Sequence, residues 1–252
     1  MNPSSARQLV TIFHIGRSGS TVLGDLLNQH SAVEWLGEIH EWPEFHAHPA
    51  PPGPGSELLR RLRARLPGVT RPVVGVEAKF FHLHDHGIAL HTFLDELRSE
   101  FPEPAACRFI VLRRKNYLRK IVSSLAARQR GRWFARPGSP LPPVHLEINP
   151  ERVCIDGDAQ PLIDYLRDWD AQFDQLDSEL ATDGPLCLTY EDDIEQDPLA
   201  AYRKVCAHVG QPPEAPEVRF TRTTAQPLTE IVTTLAAVRQ ALAGTEYAWM
   251  AD

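Results

Sequence analysis

A short turn near the start of the chain combines the residue types of an anion-binding loop. Its residues are Gly16, Arg17, Ser18, Gly19, Ser20 and Thr21. The turn follows an apolar, β-branched run over Leu9–Ile15, which predicts a buried strand, and helical spacing begins at about Ser20. A helix that starts directly after such a turn offers backbone N–H groups and the positive end of its dipole to an anion. The sequence therefore predicts that a phosphate or a similar anion binds here, with Arg17 beside it.

The same turn lacks a group that a nucleoside triphosphate needs. The phosphate-binding loop of ATP- and GTP-dependent enzymes ends in Gly-Lys-Ser/Thr, where the lysine reaches the terminal phosphates and the hydroxyl holds Mg²⁺. In this chain Gly19-Ser20-Thr21 aligns with that ending, and Ser20 stands in the place of the lysine. A nucleotide whose transferable group carries less charge does not need the lysine. The pattern points to 3′-phosphoadenosine-5′-phosphosulfate (PAPS), which carries a transferable sulfuryl group.

A second set of residues could bind another phosphate. The apolar run Arg108–Leu112 predicts a strand, and Arg114 follows it. Ser123 lies nine positions further on, a little over two turns along a predicted helix. At this spacing a guanidinium and a hydroxyl can contact the same phosphate. Ser124 is the alternative hydroxyl, one residue along.

Both patterns resemble those of the sulfotransferase superfamily. Gly16–Thr21 with its helix is similar to the family's 5′-phosphosulfate loop, and Leu112–Ser124 is similar to its 3′-phosphate site. The likeness is greatest to bacterial carbohydrate sulfotransferases of the nodulation-factor and trehalose types. It implies a P-loop-like, three-layer α/β fold with a central parallel sheet flanked by helices. It also implies PAPS as co-substrate, 3′,5′-adenosine bisphosphate as product, no metal, and a hydroxyl acceptor such as a sugar or other small metabolite.

Three residues after the first helix could be the base that sulfuryl transfer to a hydroxyl needs. They are Glu38, His40 and Glu41, within the run Gly37-Glu38-Ile39-His40-Glu41. In the heparan-type branch the base is a glutamate in a Glu-Val-His context, which Glu38-Ile39-His40 resembles. In the trehalose type it is the second glutamate of Gly-Glu-x-x-Glu, which corresponds to Glu41. We favour Glu38, because its distance from Arg17 also fits the family, and keep Glu41 and then His40 as alternatives.

Positive charge at the departing phosphate oxygen is the second requirement of the transfer. The predicted strand Pro72–Val76 delivers Glu77 and Lys79 at its C-terminal end, where ligands bind in parallel sheets. Lys79 resembles the family's lysine near the phosphate–sulfate bridging oxygen, and Arg17 is expected to stabilise the same charge. Glu77 is interpreted as the ion-pair partner of Lys79 or as a contact to the acceptor.

Alternating histidines at His82, His84 and His86, with His91 nearby, invite comparison with metal sites. The hydrolase signature His-x-His-x-Asp-His needs one more residue between the second histidine and the aspartate. We therefore expect these histidines to cap helices or line a polar pocket rather than to bind a metal.

Composition limits the class of partner and compartment. The formal net charge of −7 argues against a general nucleic-acid binder. Ten Lys/Arg residues nevertheless fall between Arg108 and Arg136, in a stretch without acidic residues, which suits a small polyanion. No apolar run approaches the ~20 residues of a membrane span. The four cysteines lie far apart without metal-ligand spacing, so we expect a cytoplasmic protein.

Strand and helix patterns alternate along the chain, which predicts a parallel α/β sheet. We expect one domain over residues 1–252, with loop insertions near 43–56 and 131–160, and a last helix over Leu228–Leu242. Two other functions remain open at this point. One is a Mg²⁺-dependent small-molecule kinase with a degenerate phosphate loop, and the other is a non-catalytic nucleotide-binding regulator. The oligomeric state is not predicted.

Overall fold

The computed structural model describes residues 7–45, 49–139, 141–157 and 159–252. These residues form two compact units. One unit takes its residues from Met1–Arg113 and Leu176–Val218, and the other from Arg114–Gln175 and Arg219–Asp252. Each unit is therefore built from two separate stretches of the chain. Residues 46–48 of the first expected insertion, and residues 140 and 158 of the second, lie outside the described part.

The first unit contains a parallel sheet of five strands in the order β2-β3-β1-β4-β5. The strands are β1 (Gln8–His14), β2 (Val33–Glu38), β3 (Val73–Lys79), β4 (Cys107–Arg113) and β5 (Leu186–Thr189). In the central pairing Ile12 lies opposite both Glu77 of β3 and Ile110 of β4. The prediction of a parallel α/β sheet is confirmed.

Helices follow the strands in alternation. In chain order they are α1 (Ser20–Asn28), α2 (Glu57–Arg65), α3 (Phe80–Asp85), α4 (Leu90–Glu100), α5 (Tyr117–Arg130), α6 (Leu162–Glu179), α7 (Pro198–His208), α8 (Leu228–Ile231) and α9 (Leu235–Leu242). Three short turns of 3₁₀ helix cover Ile39–Glu41, Pro43–Phe45 and Leu66–Gly68, a π-helical turn covers Tyr190–Ile194, and a 3₁₀ turn covers Ala248–Ala251. None of the described helices is both long enough and apolar enough to cross a membrane.

Both faces of the sheet are covered within the first unit. Side chains of β1 alternate between the faces, as the period of a strand requires. Val10 and Ile12 share a buried apolar cluster with residues of α1 and α7. Phe13 instead meets Phe93 of α4, with the ring centroids 6.3 Å apart. This arrangement buries β1 on both sides. The anion-binding turn begins at the C-terminal end of β1, which is the carboxyl end of the parallel sheet.

One expectation about the chain's elements was wrong, and one helix was not predicted. The sequence predicts one helix over Leu228–Leu242, but the structure has two, α8 and α9. Between them Val232 forms an isolated β-bridge with Leu146, and Thr233 donates its N–H to the carbonyl of Leu146. That backbone pairing interrupts the helical pattern, so tertiary contacts override local propensity here. The short helix α3, directly after β3, was not expected from the sequence at all.

The second unit buries a lysine that the sequence places in a basic run. Lys120 of α5 is fully buried, forms an ion pair with Asp156, and lies 4.6 Å from the centre of the Trp169 ring. Near it, the hydroxyls of Tyr117 and Tyr247 both donate to the carboxylate of Asp170, at 2.7 and 2.5 Å. The buried ammonium group of Lys120 and the carboxylate of Asp170 thus both have polar partners, as burial requires.

Two glycines make room for the indole of Trp35 on β2. A Cβ atom at Gly75 of β3 would lie 1.9 Å from Trp35 Cε3, and one at Gly24 of α1 would lie 2.4 Å from Trp35 Nε1. Both distances are far below van der Waals contact. The ring therefore fills a slot between sheet and helix that only glycine at these two positions leaves open.

We expect Gly75→Ala to destabilise the protein by about 1–3 kcal/mol, because the new methyl group overlaps the Trp35 ring and forces it to move. Urea unfolding followed by circular dichroism measures the change. Gly68→Ala is the matched control, since a Cβ there has nothing within 4 Å. Replacing Trp35 with a smaller side chain should cost less stability in the Gly75→Ala background than in the native chain, because the two sites are in contact. Equal stabilities for the two glycine variants would contradict the packing described.

Candidate active site

The anion-binding turn connects β1 to α1 at the carboxyl edge of the sheet. Gly16, Arg17 and Gly19 all have positive φ angles, of 79°, 55° and 87°. For Arg17 this conformation costs about 1–2 kcal/mol, so the surrounding structure must hold the arginine there. Leu23 donates the first hydrogen bond within α1, to the carbonyl of Gly19 at 3.1 Å. The N–H groups before Leu23 therefore point out of the helix start, as an anion site requires.

Glu77 holds this turn in place from the neighbouring strand. The carboxylate is buried, and its Oε2 lies 3.0 Å from Nε2 of His14, the last residue of β1. The other nitrogen of that ring, Nδ1, accepts a hydrogen bond from the N–H of Gly16 at 3.0 Å. Because Nδ1 is occupied by this hydrogen bond, the Nε2 end of the ring is the end that lies beside the carboxylate. A chain of polar contacts thus runs from Glu77 through His14 to the backbone of the turn.

Two further groups hold Glu77, from β2 and from α1. Trp35 Nε1 donates to Glu77 Oε1 at 2.9 Å, and the Ser20 side chain also lowers the pKa of the carboxylate. Burial alone would raise the pKa of Glu77, but the contacts from His14, Trp35 and Ser20 outweigh it and hold the pKa well below its usual range. The interpretation of Glu77 as the ion-pair partner of Lys79 was wrong, because Lys79 pairs with Glu38 and Glu77 lies beside His14.

A bulge in β2 brings Glu38 to the site. Trp35 pairs with Gly75, and Glu38 pairs with Glu77. Between these two pairs β2 therefore contains one residue more than β3. Gly37 absorbs the irregularity with a φ of 73°, a conformation that favours glycine. Without the bulge, Gly37 would stand opposite Glu77. The bulge therefore places the carboxyl-bearing residue, rather than glycine, at the ligand-facing end of β2.

Lys79 joins Glu38 to the turn. Its Nζ lies 2.5 Å from Glu38 Oε2, and both side chains are partly shielded from solvent. Its Cε and Nζ would lie 3.6 and 3.9 Å from a Cβ at Gly16. The ammonium group therefore stands between the carboxylate and the anion-binding turn, within reach of both.

A group of histidines lies behind Glu38. His82 of α3 is buried, and its Nε2 lies 3.5 Å from Glu38 Oε2. The His40 ring stacks on it with centroids 4.5 Å apart, and His40 Nδ1 is hydrogen-bonded to His86 Nε2 at 3.0 Å. Burial, with the positive charge of Lys79 and the neighbouring histidines, lowers the pKa of His82 to about 2. His82 is thus a neutral imidazole at ordinary pH.

The three candidate bases differ in their surroundings. Glu38 is half-buried and forms an ion pair with Lys79. Glu41 is exposed, and His40 is hydrogen-bonded to His86. The turn that carries them is tied to α2, because Arg61 Nη1 donates to the carbonyl of His40 at 2.9 Å. The arrangement favours Glu38 as the group nearest to a cation beside the loop.

The expected 3′-phosphate residues belong to the second unit. Arg114, the residue after β4, is buried, and so is Ser123 of α5. The Ser123 hydroxyl lies 3.5 Å from that of Thr223, and Ser124 is buried beside it. Asn116 caps α5 by accepting the N–H of Arg119 at 2.8 Å, which fixes where this helix begins.

His14 and Trp35 are site residues that the sequence interpretation missed. One signal was present, since His14 is a polar residue at the end of an otherwise apolar strand, immediately before the loop. Trp35 gave no such signal, because its hydrogen bond to Glu77 depends on how β2 and β3 pair.

The fold of this chain is similar to that of a solved protein structure, although no sequence comparison finds a match. A scan against protein-family models and a search of curated protein sequences both return no match. A search of solved structures finds similarity to the crystal structure of a sulfotransferase from Alicyclobacillus acidocaldarius, with a TM-score of 0.51 and 16% sequence identity. The match covers 94% of each chain. At this identity the likeness establishes a shared fold.

The buried Glu77 contacts should make stability depend on pH. Because the pKa of Glu77 is lower in the folded protein than its usual 4.5, its stabilisation is present above that pH and is lost as the pH falls below it. We expect Glu77→Gln to cost less at about pH 3.5 than at about pH 7, by on the order of 1 kcal/mol. Urea unfolding at both pH values measures this, with the exposed Glu41→Gln as control. A cost that does not change with pH would contradict the assignment.

Proposed function

We propose that this protein is a sulfotransferase that moves a sulfuryl group from PAPS to a hydroxyl acceptor. The observation that carries the proposal is the position of Lys79, whose ammonium group stands between Glu38 and the anion-binding turn. A base, a cation and an anion-binding loop are thus adjacent, which is the set that such a transfer needs. The fold shared with a sulfotransferase is consistent with this function.

The 5′-phosphosulfate would bind at Gly16–Thr21. The N–H groups at the start of α1 and the guanidinium of Arg17 would neutralise its charge. Ser20, in the place of the lysine of nucleoside triphosphate loops, brings no positive charge, and its side chain lowers the pKa of Glu77. For the 3′-phosphate we propose Arg114 and Ser123, on the strength of their spacing in the sequence.

In the transfer itself, Glu38 would accept the proton of the acceptor hydroxyl as the oxygen attacks sulfur in line. The bond from sulfur to the bridging oxygen breaks, and the electron pair stays on the phosphate of 3′,5′-adenosine bisphosphate. Lys79 and Arg17 would stabilise the charge that develops there. Since Lys79 pairs with Glu38 before the donor binds, a donor oxygen that attracts Lys79 would also release the carboxylate for its role as base. No metal takes part in this scheme.

The kinase alternative has less support. A Mg²⁺-nucleotide site of this kind uses a free carboxylate at the end of a strand beside the loop. The two strands that flank β1 end in Lys79 and Arg113. Glu77, the buried carboxylate nearby, already contacts His14, Trp35 and Ser20. The regulator alternative predicts that Glu38 and Lys79 can be replaced without functional loss.

We further propose that the whole chain forms one catalytic domain, since each unit is assembled from two separated stretches of sequence. The acceptor would be a sugar or another small metabolite, as in the bacterial carbohydrate sulfotransferases that the motifs resemble. The acidic composition argues against a general nucleic-acid partner, and the wide spacing of the four cysteines favours a cytoplasmic location.

Donor binding can be tested by thermal shift with 3′,5′-adenosine bisphosphate and, separately, with Mg²⁺-ATP. At about 100 times Kd the bisphosphate should stabilise the folded protein by about 2.7 kcal/mol. Arg114→Ala should remove much of that stabilisation, because a charge-assisted bidentate contact is lost. Stabilisation by Mg²⁺-ATP and none by the bisphosphate would contradict the proposal and support the kinase.

The base can be identified by turnover. Glu38→Gln should lower the rate of 3′,5′-adenosine bisphosphate formation on the order of 100-fold, because proton transfer is lost, while the bisphosphate still binds at least as tightly, since Lys79 no longer pairs with a carboxylate. The same measurement on Glu41→Gln and His40→Asn gives the comparison. If Glu38→Gln turns over normally and one of the other two does not, the role of base belongs to that residue.

A further inference from the structure

Three side chains of types that bind metal ions converge near the end of β2. The carboxylate oxygens of Glu38 and Glu41 and a ring nitrogen of His82 all lie within 4.8 Å of one another. Glu38 Oε2 and His82 Nε2 are already 3.5 Å apart. Two ligands of a tetrahedral Zn²⁺ ion, with bonds of about 2.1 Å, lie about 3.4 Å apart. Glu41 is exposed, so its side chain can adjust to complete the set.

His82 is the second, independent observation. Its side chain is only 1% exposed, and neither ring nitrogen makes a hydrogen bond to any described residue. A buried polar atom without a partner is unfavourable and calls for an explanation, of which an ion is one. Burial favours the neutral imidazole, which is the form that binds metals. The stacked ring of His40, itself held by His86, limits the orientations of His82.

We propose that Glu38, Glu41 and His82 bind a divalent transition-metal ion of the Zn²⁺ type. One imidazole and two carboxylates suit Zn²⁺, Mn²⁺ or Fe²⁺, whereas Mg²⁺ prefers oxygen ligands alone. Three protein ligands leave at least one coordination position open to water.

This metal would compete with Lys79. The ammonium group of Lys79 lies 2.5 Å from the same Glu38 oxygen that faces His82. Two cations cannot share that oxygen at such short range without strong repulsion. Metal binding therefore displaces Lys79, and it takes up the carboxylate that the proposed function uses as base. This inference rests on the proposed function: if Glu38 is the base of sulfuryl transfer, a metal ion bound here inhibits the transfer.

Metal affinity is measured on the full chain by calorimetric titration with Zn²⁺, and the ligand field by visible absorption with Co²⁺. We expect one ion per chain that Mg²⁺ does not displace. His82→Ala should weaken Zn²⁺ binding by about tenfold or more. His84→Ala is the matched control, because this histidine is on the same helix with its side chain 90% exposed. Equal loss in both variants, or none in either, would overturn the site.

A second pair of variants keeps the test independent of folding at the buried histidine. Glu41→Gln removes an exposed ligand and should also weaken Zn²⁺ binding by about tenfold. Lys79→Met should do the reverse and tighten it, because the competing cation is gone. Unchanged affinity in Glu41→Gln, or weaker binding in Lys79→Met, would overturn the proposal. These titrations contain no donor, so they can succeed where 3′,5′-adenosine bisphosphate fails to bind, which would reject the proposed function alone.

Discussion

The region around the proposed site depends on the burial of one carboxylate, that of Glu77. An isolated carboxylate in a protein interior is unstable unless hydrogen bonds and charge replace the water it has lost. Here the replacement comes from three different elements, through His14 at the end of β1, Trp35 on β2 and Ser20 at the start of α1. Satisfying this carboxylate therefore requires that the sheet edge, the turn and the helix adopt one relative arrangement. The turn is shaped before any anion binds, which lowers the cost of binding and of catalysis.

The strained backbone at Arg17 and the ion pair between Lys79 and Glu38 both lie next to the residues that hold Glu77. Arg17 is held at a φ of 55° although a non-glycine residue avoids this region, and the His14 contact to Gly16 fixes the residue directly before it. Lys79, two residues beyond Glu77 on the same strand, emerges beside the turn and pairs with Glu38. Glu38 reaches that pair only because of the bulge at Gly37. Positive charge, base and loop are thus positioned by the ends of three adjacent strands, and the proposed chemistry is a matter of positioning and electrostatics.

Local patterns in the sequence predicted the parts of this site, and pairing between distant segments decided the rest. The turn Gly16–Thr21, the strands around it and the placement of Lys79 at a strand end follow from short-range composition and period. The partner of Glu77 could not be predicted, because it depends on the register that brings β3 alongside β1. For the same reason Trp35 was missed, since the slot for its ring needs glycines on both β3 and α1. The buried Lys120 likewise looked like one more member of a basic run, because its partner Asp156 is far away in the sequence.

The most direct test of the account is transfer of a labelled sulfuryl group. The protein would be incubated with PAPS labelled in its sulfur and with a series of hydroxyl acceptors, beginning with sugars, and the label would be followed by chromatography. The account predicts that label appears in one acceptor class together with an equal amount of 3′,5′-adenosine bisphosphate, and that Lys79→Ala abolishes both. If the label stays on the donor with every acceptor while the γ-phosphate of ATP is transferred, the account is contradicted.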